Sequence, residues 1–256
     1  MIENAPRRNT EAKEGYRIVR LAQVDSTNAY ARMHLADLAD GHVVTAEVQT
    51  AGRGRGGRAW ISHQRGNLYL SLVLKPKGPL TRGHPVSNLS QLLAVVVCED
   101  LESCQVTAGI KWPNDILVQG RKIGGILAEA VTSGSDLIGL VLGLGLNLNL
   151  QAVDLGQIGQ PATSLNLLTG RTICPEERLK SILDRFFSAY PRVLANGFRT
   201  IRTAYVGRCS FLGQSVKVNM PEGVLCGQAI DITTQGELEL LLSGGQVRRI
   251  SLGEII

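Results

Sequence analysis

The sequence predicts an α+β protein in which a mixed, largely antiparallel sheet with helices precedes a small all-β domain. The stretch NLYLSLVLK at 67–75 alternates in the manner of a strand. SNLSQLLAVVVCEDLES at 87–103 has the length of a helix and contains no breaker. After residue 206 the strand-like segments become short and are separated by turn sequences, so a second domain of another class is expected.

The first predicted elements are two strands separated by a helix. YRIVRLAQV at 16–24 is the first strand, and HVVTAEVQ at 42–49 is the second. DSTNAYARMHLADLAD at 25–40 is predicted to be helical, because Asp25 or Ser26 can accept hydrogen bonds from the free N–H groups of a first turn. The second strand leads into the loop AGRGRGGRAW at 51–60.

An antiparallel meander and another helix are predicted after the helix at 87–103. ILV at 116–118 and KIGGILAEAV at 122–131 are joined at QGR, and DLIGLVLGLGLNLNL at 136–150 continues after the turn SGS. The next helix begins at Pro175 and ends at Leu194, before Asn196 and Gly197. Because strands and helices do not alternate regularly, a parallel α/β sheet is not predicted.

The last part of the chain is predicted to be a small barrel or sandwich. SVKVNM, LCGQAIDI, ELELLL and VRRISL are strand-like segments, and PEG, TQG and SGG separate them. We place the boundary between the two domains at residues 206 and 207. The domains are therefore 1–206 and 207–256.

Cysteine content and hydropathy exclude several classes of protein. The five cysteines contain no C-x-x-C pair, so neither a disulfide framework nor a zinc site is predicted. The first residues lack the apolar run of a signal peptide, and no later run reaches the roughly 20 residues needed to cross a bilayer. We expect a cytoplasmic protein with no membrane partner.

Basic residues are concentrated in one part of the chain. The net charge of the whole chain is +5, but residues 48–98 contain no Asp or Glu. Seven basic residues give this stretch a charge of +7: Arg53, Arg55, Arg58, Arg65, Lys75, Lys77 and Arg82. A local positive field of this kind favours an anion such as a nucleotide phosphate or a nucleic-acid backbone.

The loop at 51–60 lies within this stretch and admits several interpretations. Gly52, Gly54 and Gly57 satisfy G-x-G-x-x-G, but the next element is a strand, and no ribose-binding carboxylate stands about twenty residues further on. No G-K-[ST] completes a Walker A sequence. RGG-type nucleic-acid segments occur as repeats, whereas this copy is single. The loop alone leaves an anion-binding lid and a solvated loop equally open.

The segment GIKWPNDILVQGRKIGGILAEA at 109–130 favours a site. Pro113 is expected to start a strand, and Asn114 with Asp115 supplies an amide and a carboxylate for a metal or a polar ligand. Lys122 is expected near the turn of the following hairpin, where Gly125 and its neighbour let a ligand approach the backbone closely. A solvated turn lysine and an aspartate that caps its own backbone remain the alternatives.

Six segments together resemble the biotin-protein ligase (biotin-[acetyl-CoA-carboxylase] ligase) family. In order they are DSTNAYA at 25–31, QTAGRGRGGRAW at 49–60, GNLYLSL at 66–72, KWPNDILV at 111–118, RKIGGILAE at 121–129 and GLGLNLN at 143–149. KWPND and GRGRxGR are specific motifs, and the likeness covers most of the chain. It implies a class II aminoacyl-tRNA synthetase-like catalytic domain followed by an SH3-like β-barrel.

The resemblance also implies a two-step reaction that uses ATP and Mg²⁺. Biotin's carboxylate attacks the α-phosphate of ATP to give biotinyl-5'-AMP and pyrophosphate. A lysine amine of a biotin carboxyl carrier protein domain then attacks the mixed anhydride and releases AMP. By resemblance, Lys122, Arg53 and Arg55 are catalytic, with Lys122 at the carboxylate and the α-phosphate. No tightly bound prosthetic group is expected.

The resemblance assigns further residues to the two substrates. The residues expected to bind biotin are Ser26, Thr27, Asn28, Gln49, Gly52, Trp60, Gly125 and Lys122. The residues expected to bind the nucleotide are Arg53, Arg55, Arg58, Lys111, Asn114, Asp115 and Asn147, and Asp115 is also the expected metal ligand. Trp60, Leu68 and Leu70 would cover the adenylate or the valeryl chain, although core packing explains the leucines equally well.

The sequence departs from the family pattern in two places. Gly56 stands where the GRGRRGR form has a larger residue, which is expected to loosen the loop without removing its arginines. Bifunctional members carry a helix-turn-helix domain before DSTN, whereas 24 residues precede Asp25 here, so we expect a monofunctional enzyme that does not bind DNA. A lipoate-protein ligase, which lacks KWPND, and a basic nucleic-acid-binding protein are the alternative interpretations.

The glycine content of the loop predicts how it behaves. Ordering residues 52–59 costs about 1–2 kcal/mol each, so the empty loop is expected to stay mobile until ligand contacts order it. A closed loop would then exclude water from the anhydride.

Overall fold

The larger part of the protein is an eight-stranded sheet. The computed structural model describes residues 10–13, 15–76, 87–134, 136–156 and 158–256. The strands are β1 Thr10–Lys13, β2 Tyr16–Val24, β3 His42–Gln49, β4 Leu68–Leu74, β5 Gly109–Lys111, β6 Asp115–Val118, β7 Arg121–Ser133 and β8 Asp136–Leu146. Their order is β1-β2-β3-β4-β8-β7-β6-β5. Only β2 and β3 pair in parallel among these described strands, so the predicted mixed, largely antiparallel sheet is confirmed.

Helices cover both faces of this sheet. They are α1 Thr27–Met33, α2 Ser87–Ser103, α3 Ala152–Leu155, α4 Leu165–Thr169, α5 Pro175–Asn196 and α6 Arg202–Val206. Helix α1 contacts β3, β4 and β8, whereas α2 packs against α5 and β7. Two buried apolar clusters result, a smaller one that includes Ala31 of α1 and a larger one that includes Leu93 of α2 and Phe186 of α5.

The double covering explains why β4 is more buried than its alternation predicts. Leu70 and Leu72 belong to the larger cluster, as the alternation implies, but Val73 belongs to the smaller one. Ser71 is fully buried and hydrogen-bonds to residues of α1. The prediction of a strand is confirmed, and all seven residues of the strand are buried.

Several element boundaries differ from the prediction. Helix α1 ends at Met33, and the chain after it forms turns instead of the predicted further helix. Ser26 caps the helix as predicted, because its hydroxyl accepts the N–H of Ala29 at 3.5 Å. Pro113 lies in the turn between β5 and β6 and does not start a strand. The β6–β7 hairpin turns at Gln119 and Gly120 alone, both at positive φ, because Arg121 already pairs with Val118.

The C-terminal part is a five-stranded antiparallel sheet. Its strands are β9 Ser215–Met220, β10 Gly223–Ile232, β11 Leu238–Leu241, β12 Val247–Ile250 and β13 Glu254–Ile255, in the order β12-β11-β10-β9-β13. The Gly236 carbonyl accepts hydrogen bonds from Gln91 at 2.8 Å and from Trp112 at 3.3 Å. The apolar residues of the small sheet also join the larger cluster, so the two sheets share one core. The boundary at 206 and 207 stays a prediction.

No helix among the residues that the structure describes combines the length and apolar character required to cross a membrane.

Candidate active site

One cavity of about 490 Å³ brings most of the predicted site residues together. It lies between the 51–60 loop, the start of α1 and the central strands β7 and β8. The predicted residues that line it are Ser26, Thr27, Asn28, Gln49, Arg53, Arg55, Arg58, Trp60, Asn114, Asp115, Lys122, Gly125 and Asn147. Ser26 and Asn147, which are 121 positions apart in the sequence, therefore meet at one site.

The parallel pair β2–β3 positions the polar end of the cavity. Val24 and Gln49 are register partners at the ends of these strands, and α1 begins directly after β2. The side-chain oxygen of Gln49 accepts the backbone N–H of Thr27 at 2.8 Å and lies 3.1 Å from its hydroxyl. Because the Gln49 oxygen is held in this way, its amide nitrogen remains a donor for a ligand.

Three paired residues on neighbouring strands, an aspartate and two glycines, form the floor of the cavity. Asp115 on β6 pairs with Gly125 on β7, which pairs with Gly145 on β8. A Cβ on Gly145 would lie 2.4 Å from the Trp60 indole, and one on Gly125 would lie 3.1 Å from it. The two glycines therefore make room for the Trp60 ring to lie against the sheet.

A β-bulge places Lys122 on the same face as these three residues. The register shifts between Ile116 and Leu117, so that the strand β7 has one extra residue, Ile123. Without this shift the alternation of the strand would put Lys122 and Gly125 on opposite faces. As a result Lys122 Nζ lies 2.7 Å from Asp115 Oδ1 and 5.6 Å from the Trp60 ring centroid.

The Lys122–Asp115 pair is largely shielded from solvent, with side-chain exposures of 15% and 21%. An ammonium group in such a place is a strong point charge for a reacting anion. Asn114 is fixed beside it, because its Nδ2 donates to the Ile126 carbonyl at 2.5 Å and its Oδ1 accepts from Arg55 at 3.1 Å.

Asp115 alone is a poor resident metal site. The described residues contain no group of three or more His, Cys, Asp or Glu side chains suited to a metal ion, and the Asp115 carboxylate is already paired with Lys122. Mg²⁺ is commonly held by one or two carboxylates together with substrate phosphates. The residues present therefore fit a magnesium ion that enters with a nucleotide.

The 51–60 loop, which we call the lid, forms a closed turn over the cavity. Arg53 bridges Ala59 at its base, and Arg55 to Gly57 form one 3₁₀ turn in which Gly56 has φ 62°. A Cβ on Gly56 would meet no atom within 4 Å, but the positive φ favours glycine, so the larger residue of the family pattern would be strained in this backbone conformation.

The lid is attached to the C-terminal sheet through its arginines. Arg55 donates to the Gly253 carbonyl at 3.2 Å, and Arg58 forms an ion pair with Glu254. Burial lowers the pKa of Arg55, with Arg58 acting in the same direction, while Glu254 and Asp115 oppose this. The lid therefore contacts both parts of the chain.

Three predicted residues do not line the cavity: Gly52, Lys111 and Leu68, the last of which is buried in the larger apolar cluster. Lys111 lies on β5 and lines a different cavity, between β5, β6 and the C-terminal strands β9 and β13. Gly52 lies behind the wall, where a Cβ would come within 2.2 Å of Ser62 Oγ and 3.2 Å of Gln49 Nε2. Gly52 thus contributes space for Gln49, and Lys111, although it is the register partner of Asp115, lines the second cavity.

Several residues at or beside the cavity were not anticipated from the sequence, among them Gly145 of the floor and four residues that contact predicted ones. Ser71, Glu129, Gly143 and Glu254 contact predicted site residues from other strands. The alternation of glycines in GLGLNLN is a signal for Gly143, because a strand glycine often marks close approach of another group. The other three carry no local signal.

Acidic residues from elsewhere compensate much of the acid-free basic stretch. Arg53 lies 3.8 Å from Glu129 and Arg65 lies 2.8 Å from Glu47, in addition to the Arg58–Glu254 pair. Lys77 and Arg82 lie outside the described residues. Three of the arginines in the described part of the stretch therefore have an acidic partner from elsewhere in the chain.

Comparison with known proteins identifies the family. Residues 21–147 match the biotin/lipoate A/B protein ligase family, and residues 211–256 match the biotin protein ligase C-terminal domain. A biotin--[acetyl-CoA-carboxylase] ligase of Paracoccus denitrificans is 36% identical over 202 residues, which cover 77% of this chain and 82% of that protein. The chain belongs to the biotin protein ligase family. It is therefore an enzyme of the ligase class, as the motifs predict.

Other biotin protein ligases support this membership. A biotin--[acetyl-CoA-carboxylase] ligase of Mycobacterium tuberculosis is 35% identical over 92% of this chain and 87% of its own length. The bifunctional ligase/repressor BirA of Bacillus spizizenii is 32% identical over 84% of this chain, which spans 66% of that relative. The biotin protein ligase of Aquifex aeolicus, solved in complex with biotin and ATP, superimposes with a TM-score of 0.81 at 29% identity, covering 93% of this chain and 97% of that one.

Proposed function

We propose that this biotin protein ligase activates biotin with ATP as biotinyl-5'-AMP and then transfers biotin to a lysine of a biotin carboxyl carrier protein domain. The observation that carries the proposal is the position of Lys122. It is paired with Asp115 and shares with the lid arginines one cavity whose other end is lined by amide and hydroxyl groups.

The electrostatics of the first step explain the need for this arrangement. A carboxylate that attacks a phosphate brings two negative charges together, and at about 4 Å their repulsion is roughly 4 kcal/mol at an effective dielectric of 20. Lys122 would counter this repulsion at the carboxylate and the α-phosphate. Arg53, Arg55 and Arg58 supply a fixed positive field from the lid. The α-phosphate gains the carboxylate oxygen and loses pyrophosphate, whose charge Mg²⁺ that arrives with ATP would balance.

The polar end of the cavity suits the ureido ring of biotin. Amide-like N–H and C=O groups need partners once they leave water, and Ser26, Thr27 and Gln49 offer hydroxyl and amide groups there. Asn28 lies beside them, while Gly125 and the Trp60 ring lie towards Lys122. This order along the cavity would place the ring at Gln49 and the carboxylate at Lys122.

The nucleotide end is formed by groups around the lid and the β6 strand. Asn114, Asp115 and Asn147 line this part together with the lid arginines. In the second step the carrier lysine attacks the anhydride carbonyl, forms the amide and releases AMP, and Lys122 would stabilise the charge that develops on the oxygens. A lid that stays closed until the carrier docks would limit hydrolysis of the anhydride.

The location that we propose is the cytoplasm. All five cysteines are described and are unpaired, which fits a reducing compartment that also supplies ATP.

Biotin-dependent ATP–pyrophosphate exchange tests the first step. We expect exchange in the wild type with biotin and not with lipoate, and a loss of about 10²–10³-fold in Lys122→Ala, the scale seen when a charge-stabilising donor is removed. Arg121→Ala is the matched control, because Arg121 is the exposed neighbouring residue and contacts only the turn at Gln119 in the described hydrogen bonds. Exchange with lipoate alone, or equal rates in Lys122→Ala and the wild type, would contradict the proposal.

A further inference from the structure

Glu129 on β7 lies just outside the cavity and connects two parts of the site. Its Oε2 accepts a hydrogen bond from Asn28 Nδ2 at 2.8 Å, and the same oxygen lies 3.8 Å from the Arg53 guanidinium. Its other oxygen accepts from Arg32 at 2.7 Å. One carboxylate, with 20% of its side chain exposed, thus contacts the cavity wall and the base of the lid.

The contact with Glu129 fixes the orientation of Asn28. A carboxylate only accepts hydrogen bonds, so the Asn28 nitrogen must face Glu129, and this nitrogen also donates to the Leu127 carbonyl at 3.3 Å. The Asn28 oxygen then faces the Ser71 hydroxyl at 2.5 Å, which is itself 2.8 Å from the Thr27 hydroxyl. The Glu129 carboxylate therefore fixes the orientation of the hydrogen bonds in the polar network next to Gln49.

Asn28 has little room to adopt another orientation. A Cβ on Gly143 would lie 2.3 Å from the Asn28 oxygen and 3.1 Å from its nitrogen, so the side chain fills the space above this glycine. Arg53 is equally constrained on its backbone, because it bridges Ala59 where the two sides of the lid meet. Glu129 thus decides which way the Asn28 amide faces within this space, and it is the acidic partner of the Arg53 guanidinium.

We infer that Glu129 is a positioning residue that couples closure of the lid to occupation of the biotin pocket. This inference rests on the proposed function. Glu129 holds Arg53 when the lid lies over the cavity and holds Asn28 in the orientation that completes the Thr27–Gln49 end. Loss of the charge loosens the lid base and the biotin end together, and leaves the contact between Arg55 and Asn114 at the nucleotide end in place.

The isosteric variant Glu129→Gln tests the coupling. Removal of a charge-assisted contact is expected to raise the KM for biotin in the exchange assay roughly tenfold, and to raise the KM for ATP by a clearly smaller factor, because only Arg53 among the lid arginines loses a contact. Trypsin cleavage after the lid arginines is expected to accelerate in the ligand-free variant, and this readout does not need catalysis. Arg32→Ala is the matched control, because it removes the other partner of Glu129 and leaves Asn28 and Arg53 in place.

The outcomes separate the inference from the proposed function. Equal effects of Glu129→Gln and Arg32→Ala on the KM for biotin and on lid cleavage would overturn the coupling, as would parallel rises in the KM for biotin and ATP. A wild type without biotin-dependent exchange would overturn the proposed function. If lid cleavage still responded to Glu129→Gln alone in that case, the link from Glu129 to the lid would stand.

Discussion

Gly145→Ala tests whether the glycine floor positions Trp60. Gly145 pairs with Gly125 and Tyr69 in the centre of the sheet, where its strand backbone accepts alanine. The added Cβ would lie 2.4, 2.6 and 2.7 Å from the Cε2, Nε1 and Cζ2 atoms of Trp60. Carbon atoms in contact are ordinarily about 3.5–4.0 Å apart, so the indole must retreat by about 1 Å.

The expected change in the Kd for biotin follows from the contacts that hold the Trp60 ring. Its buried Nε1 makes no hydrogen bond to a described residue, and Lys122 Nζ lies over the ring at 5.6 Å from the centroid. An added methyl group in a packed site costs about 1–3 kcal/mol. Because the ring can move into the cavity, we expect this cost in ligand binding, as a rise in the Kd for biotin of roughly 5- to 150-fold. The free energy of unfolding should change by less than about 1 kcal/mol, since alanine also restricts the unfolded chain.

Calorimetric titration of biotin into four proteins measures this effect. The proteins are the wild type, Gly145→Ala, Trp60→Ala and the double variant. If the clash with the ring is the cause, Gly145→Ala weakens binding in the wild type but changes it by less than about twofold when Trp60 is absent. An equal loss in both backgrounds would refute the reasoning.

Three further predictions concern the lid and the core. Biotin plus ATP is expected to slow trypsin cleavage near Arg55, because ligand contacts offset the cost of ordering the lid; cleavage at an unchanged rate would contradict this. Glu254→Ala should change the free energy of unfolding by less than about 1 kcal/mol, since its partner Arg58 is 58% exposed. The same variant should be cleaved faster by trypsin after Arg58. Slower cleavage would argue against attachment of the lid to the C-terminal sheet through Glu254. Burial raises the pKa of Asp100 above 3.8 despite opposing contacts from Ser181 and Arg178, so the folded protein holds this proton more tightly than the unfolded chain. The stability that Asp100 contributes is therefore full below pH 3.8 and is lost as the pH rises through the folded pKa. Unfolding titrations should show the wild type losing stability relative to Asp100→Asn as the pH rises from 3.8. A constant difference between the two proteins would contradict this.

Much of the fold follows from local sequence patterns. The bounds of β2, β3 and α2 agree with the predicted segments, because strand alternation and an uninterrupted helical run are local properties. Helix α1 is shorter than predicted, since the turns that lead to His42 replace its last part. The three-residue strand β5 forms only through its pairing with β6, and a segment of that length carries no signal of its own.

The site residues likewise fall into those that local sequence predicts and those that long-range pairing brings in. Residues within the motifs, such as Gln49, Asp115 and Lys122, could be identified because the motifs are contiguous. Glu129 and Glu254 reach the lid through pairings over 76 and 196 positions, which no local pattern encodes. Likewise, a β-bulge at Ile123 decides on which face Lys122 lies, and its presence depends on the partner strand. The placement of Lys111 at a second cavity depends in the same way on the packing of the C-terminal sheet.

We propose that one cationic cavity holds the carboxylate of biotin against the α-phosphate of ATP. A crystal structure of the wild type with biotin and a non-hydrolysable ATP analogue measures this most directly. We predict the ureido ring at Gln49, the biotin carboxylate and the α-phosphate within hydrogen-bond reach of Lys122 Nζ, and the lid arginines around the phosphates. Biotin or the nucleotide bound away from Lys122 and the lid would contradict the account.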